Sequence, residues 1–201
     1  MIGWLLEELF RRAGVKIVAK EEVLNVARRY FFINAFDGLM ISLGVLLGGH
    51  FGAHISSRGL LFALIGSVIA MGLSGFFGAY ISERAERLKS IKEIENQIHQ
   101  DLSGTRYENQ LMKASVLIAL VDAIAPVLSS MPAIAFLTLS FIGLIDVHVS
   151  VFAALLFSLA LLVFLGYELG KIAGEKPLIY SLALLFLGML LAFITFALGG
   201  V

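Results

Sequence analysis

The stretch YFFINAFDGLMISLGVLLGGHF, residues 30–51, decides the fold. It holds one ionisable side chain, Asp37, before His50 near its end. As a helix rising 1.5 Å per residue it is long enough to cross about 30 Å of hydrocarbon. The same pattern recurs down the chain. Residues 59–81 read as a second span, and apolar sequence resumes at Met112 and runs to Gly170, too long for one span and right for two. Those two divide at Ile145-Asp146-Val147-His148, and a fifth span follows Pro177. The expected fold is an all-α integral membrane protein, a five-transmembrane-helix bundle.

Composition agrees. Of 201 residues, 59% are hydrophobic and 15% charged, with a mean hydropathy of +0.94, so the bilayer is the expected solvent. Fifteen basic residues balance fifteen acidic ones, leaving no net field to attract nucleic acid. The absence of cysteine excludes disulfides, thiolate metal sites and cysteine redox chemistry. The N-terminus, MIGWLLEELFRRAGVK, puts charges directly after a short apolar run and lacks the regions of a cleaved secretory signal, so it is expected to be retained.

The segments around the spans are helical too. Residues 1–28 carry Trp4, Leu5, Leu9, Phe10, Ile17 and Val18 among Glu7, Glu8, Arg11, Arg12, Lys16 and Lys20, the pattern of an amphipathic helix lying at the membrane interface. Spans one and two occupy 29–82. The charged, proline-free SERAERLKSIKEIENQIHQDL prolongs the second span into water within a linker at 83–111, with a break at Ser103-Gly104. Residues 112–201 hold spans three to five, the third containing Pro126 and Pro132, which release backbone carbonyls. Lys and Arg number six before the first span, one in the next turn (Arg58), six between spans two and three, none between three and four, and two between four and five. This alternation predicts a cytoplasmic N-terminus, a cytoplasmic extension of the second span and an outside C-terminus.

Small residues repeat every fourth position on the first span, at Asn34, Gly38 and Ser42, and on the second, at Gly66, Ala70, Ser74, Gly78 and Ser82. Such stripes let helix backbones approach closely in lipid, and they predict a compact bundle.

The chemistry-bearing residues fall into three groups. Asp37 and Asp122 are carboxylates inside predicted spans, where each costs at least about 2.5–3.5 kcal/mol on the insertion scale. They are expected in the bundle interior or a wet cavity, as ion or proton sites or as structural hydrogen-bond partners. Asn34 and Met40 lie one turn from Asp37 on either side, a hard-oxygen and soft-sulfur set suited to Fe(II) or Mn(II). Glu83, Glu86 and Glu93 are spaced to share a face and collect divalent cations, although the interleaved Arg84, Arg87, Lys89 and Lys92 also fit a salt-bridged solvated helix. His99, Asp101 and Glu108 lie nearby. His50 and His54 are four apart, a metal-holding spacing if both stand on one helix, and Asp146 and His148 belong to the same outer surface. Glu168, near the cytoplasmic end of the fourth span, either lines an inner vestibule or snorkels. The chain has no Walker motif, HExxH or GxSxG, so transport fits better than catalysis, and no enzyme activity is expected.

The segments FDGLMISLGVLLGG, residues 36–49, and SGFFGAYISERAE, residues 74–86, together with a glycine-containing fourth span, a short basic connection and a final helix ending in FALGGV, resemble the vacuolar iron transporter family over residues 28–201. The family's helix-2 methionine falls at Gly75 and its glutamate at Ala79, with Met71 one turn earlier as the substitute sulfur, and the linker corresponds to a reduced cytoplasmic metal-binding region. The resemblance implies a homodimer with its path at the dimer interface, exporting cytosolic Fe(II) or Mn(II) in exchange for protons, an antiporter with no permanently bound cofactor. Asp37 is the transport residue carried over. Met40 or Met71 would add a sulfur contact, and Asp122 and Glu168 would belong to a proton or ion path. A non-transporting membrane scaffold and a carrier or channel for another ion stand as alternatives.

Overall fold

The computed structural model describes residues 2–12 and 20–199, and among them all regular structure is helical. The order is α1 (Ile2–Arg12), α2 (Lys20–Leu46) prolonged by a π-helical segment (Leu47–Gly52), α3 (Ser57–Ile98), α4 (Arg106–Phe141), α5 (Val147–Ala173) and α6 (Pro177–Gly199). The stretches Glu21–Gly52, Ser57–Ile98, Arg106–Phe141, Val147–Ala173 and Pro177–Leu198 are long and apolar enough to cross a membrane, as expected of a multi-pass integral membrane protein.

The element boundaries follow local chemistry. Glu21 and Glu22 sit in the first turn of α2, where carboxylates complement the helix dipole, and no glycine or proline interrupts α2 before Gly38. This helix therefore starts at Lys20, ten residues before the apolar run at Tyr30, and the expected boundary at 28/29 falls inside it. Ile17 and Val18, expected on the apolar face of the N-terminal helix, lie outside the described residues, as do Gly200 and Val201 at the end of FALGGV. Asp146 caps α5, its side chain accepting from the His148 amide at 2.8 Å. Gly174 closes α5 in the left-handed region at φ 70°, which glycine adopts at no steric cost. Pro126 and Pro132 lie within α4, which continues through both.

The chain groups into two compact units. In the first, residues 1–33 and 72–124, a core of Leu6, Phe10, Val23, Ala27, Ile91, Leu111, Ala114, Ile118 and Val121 joins α1 to parts of α2, α3 and α4. The amphipathic helix thus turns Leu6 and Phe10 into protein, each burial contributing about 1.5–3 kcal/mol, while Leu5 and Leu9 remain exposed. On its polar face Arg11 and Arg12 both bond Glu8 and hold that carboxyl below its usual range.

In the second unit, residues 34–71 and 125–201, Leu46, Leu60, Leu64, Val68, Leu137 and Val151 form the centre of a separate core. Gly38 faces α4 so closely that a Cβ there would meet the Ser129 hydroxyl and stand 2.8 Å from the Pro126 backbone. The Gly38 carbonyl also accepts from the hydroxyls of Ser42, at 2.8 Å, and Ser130, at 3.0 Å. Gly166 performs the same role between α5 and α6, where a Cβ would lie 2.6 Å from the Tyr180 carbonyl, and Ser181 bonds the Val163 carbonyl at 2.9 Å.

Candidate functional site

Asp37 lies near the middle of the Glu21–Gly52 stretch, its position fixed by the Gly38–Pro126 contact immediately beside it. Its side chain is exposed on the surface of the single chain, whereas Gly38 and Leu39, the next two residues, are buried. Of the two expected settings, the bundle interior and a wet cavity, a single chain does not provide the first for Asp37. Among the described residues no hydrogen bond or ion pair engages it. Asn34 and Met40, a turn to either side, are half-buried, and so is Met71 on α3. All four belong to the second unit, as does Glu168, which is half-buried on α5 and engaged by neighbouring groups.

Asp122 behaves differently. It is 3% exposed on α4 within the first unit and is engaged by its surroundings.

The three glutamates of α3 do not share one environment. Glu83 is buried and lies 3.6 Å from the Arg87 guanidinium, which is also buried and stands 3.6 Å from Glu22 of α2. Glu86 and Glu93 are exposed. Glu86 and Glu93, seven apart, stay on one exposed face, whereas Glu83, roughly 60° round the helix from Glu86, is covered where Arg87 reaches towards Glu22 of α2. A carboxylate paired with a buried arginine is a poor collector of cations, because an arriving ion must compete with a fixed charge. Of the neighbouring candidates, Asp101 accepts from the Ser103 amide at 2.8 Å, and the Ser103 hydroxyl, together with that amide, holds its carboxyl below the usual range. Glu108 accepts from the Gly104 amide at 2.6 Å, closing the same turn, and His99 is exposed in a left-handed conformation at φ 56°. These acidic side chains stabilise the break between α3 and α4.

His50 and His54 do not stand on one helical face. His50 occupies the π-helical segment, which ends at Gly52, and His54 follows in a left-handed conformation with φ 49°. What His50 meets is His148, in the first turn of α5: its Nε2 is 2.9 Å from the His148 Nδ1. Sequence reasoning missed this contact because the two rings are 98 residues apart. The available signal was the coincidence of a histidine at the end of one span with another at the start of a later one. Among the described residues no three His, Cys, Asp or Glu side chains converge to hold a metal ion.

No family model matches the chain. An uncharacterized protein, MJ0645, of Methanocaldococcus jannaschii is 28% identical over 156 residues, covering 75% of this chain and 77% of that protein. The similarity extends across most of both proteins, so the chain is similar to a relative of comparable extent that brings no activity with it.

Proposed function

We propose that the protein is a proton-coupled exporter of divalent transition metal, Fe(II) or Mn(II), working as a homodimer in the manner of the vacuolar iron transporter family that its sequence resembles. The observation that carries this reading is Asp37: a carboxylate at the middle of an apolar span, exposed on the isolated chain. Facing lipid it would cost at least about 2.5–3.5 kcal/mol, so a second copy or a water-filled path must line that surface. Asn34 and Met40 on the adjoining turns supply oxygen and sulfur, a donor set for Fe(II) or Mn(II) rather than for an alkali ion.

A homodimer is supported by α3. Gly66, Ala70, Ser74, Gly78 and Ser82 are all exposed, and nothing in the chain lies within 4 Å of a Cβ built at Gly66 or Gly78. A backbone stripe open in this way suits close approach by another helix. In this reading the N-terminus is cytoplasmic and the C-terminus outside, following the alternation of Lys and Arg along the chain. Metal enters from the side of Glu86 and Glu93, the two exposed members of the α3 glutamates. Met71 or Met40 adds a sulfur contact, Asp122 and Glu168 serve the proton, and Glu83 holds Arg87 in place.

Purified protein in liposomes that enclose a metal-sensitive dye tests the proposal under an imposed pH gradient. Uptake of Fe(II) or Mn(II), dependent on the gradient and exceeding that of Ca(II), is the expected result. No flux of any divalent ion from folded, inserted protein would overturn it in favour of a membrane scaffold. Flux of sodium alone would point to a carrier for another ion.

A further inference from the structure

His50 and His148 meet where the π-helical segment after α2 approaches the start of α5. His50 is 7% exposed, and the 2.9 Å separation between its Nε2 and the His148 Nδ1 is that of a hydrogen bond in which one ring supplies the N–H and the other the lone pair. The backbone of His148 is fixed by its bond to the Asp146 carboxylate. Beside the pair lies a cavity of about 330 Å³, lined by both rings, by His54 and by Phe51, Ser56 and Val147 among others. Three of the four histidines in the chain therefore border one space.

We propose that His50 and His148 form a binding site for one divalent transition-metal ion of the imidazole-preferring kind, such as Zn(II), Co(II) or Ni(II). Two nitrogens bound at about 2.0–2.1 Å to a tetrahedral ion stand about 3.3 Å apart, so the pair opens by a few tenths of an ångström and each ring turns by roughly 35° to aim its lone pair at the ion. The proton between the rings moves to the other nitrogen of the ring that carries it. Both imidazoles stay neutral and both present lone pairs to the ion. With no third ligand converging among the described residues, water fills the remaining positions, and the adjacent cavity has room for it. His54, on the wall of that cavity, is the side chain available to replace one of those waters. Oxygen-preferring ions such as Ca(II) and Mg(II) gain little from two imidazoles. The site stands apart from the transport reading, since binding at equilibrium requires no flux and does not involve Asp37.

The test is a Co(II) titration of the tag-free, full-length chain in detergent, followed by visible absorption. An Asp37→Asn background removes any contribution from the proposed transport site. One Co(II) per chain is expected, with the absorption of a nitrogen-ligated ion, and Zn(II) is expected to displace it. His148→Gln, which keeps a hydrogen-bonding side chain beside His50, is expected to weaken binding by at least about tenfold, and His54→Ala to weaken it less. The proposal is overturned if His148→Gln binds Co(II) as its parent does, or if the parent binds none while circular dichroism and size-exclusion behaviour report folded protein.

Discussion

The first span and the second carry the same motif, small residues at every fourth position, and the structure uses the two in opposite ways. On α2, Gly38 and Ser42 are buried: α4 passes so close that Pro126 and Ser129 occupy the space a side chain at Gly38 would need, and Ser130 bonds the Gly38 carbonyl. On α3 the five small residues are exposed, and Gly66 and Gly78 have open space where a Cβ would go. A small-residue stripe permits close approach, by another helix of the chain or by a partner. In an aqueous domain an exposed stripe would be unremarkable; in a helix apolar enough to cross a membrane, beside exposed Phe62, Ile69, Leu73 and Phe77, it is the surface the proposed homodimer would use.

The largest contrast between the stripes is expected in cross-linking. The chain has no cysteine, so single substitutions introduce the only thiol. Ser74→Cys in native membranes is expected to yield a disulfide-linked dimer on mild oxidation, and Ser42→Cys, buried within its own chain, none. Equal cross-linking at both positions, or at neither, would break the comparison.

A smaller contrast concerns stability. Gly38→Ala forces a methyl group against the Pro126 backbone and is expected to cost about 1–3 kcal/mol, read as a lower thermal midpoint of the detergent-solubilised protein. Gly66→Ala and Gly78→Ala meet nothing in the chain and are expected to leave the stability of the single chain within about 0.5 kcal/mol of wild type. In detergent that keeps the protein monomeric, a drop at Gly78 as large as that at Gly38 would mean that the α3 stripe is packed within the chain.

The five spans were legible because each is an apolar run bounded by charged or helix-breaking residues, a signal that depends only on length and composition. The start of α2 was less legible. Residues 20–28 read as the end of an interfacial amphipathic helix, yet Val23 and Ala27 lie on the face that packs with Leu6 and Phe10, and they belong to α2, which begins at Lys20, ten residues before the apolar run. Spacing along α3 identified a carboxylate face but not the arginine that takes Glu83 out of it, since the ion pairs with Glu22 and Glu83 depend on how α2 and α3 pack. Likewise the fourfold spacing of His50 and His54 suggested one helical face, which the end of the π-helical segment at Gly52 removes, while the contact with His148 has no local trace in the sequence. Local pattern reported the helices; the pairing of side chains from distant helices came only with the fold.

The contrast between Asp37, exposed at mid-span, and the buried Asp122 leads to the most direct measurement of the central claim. It is the pH-gradient-driven uptake of Fe(II) and Mn(II) into liposomes by Asp37→Asn beside wild type, with reconstitution of both proteins verified. Loss of the gradient-dependent flux in the variant is the predicted result. Transport by Asp37→Asn at the wild-type rate would contradict the account.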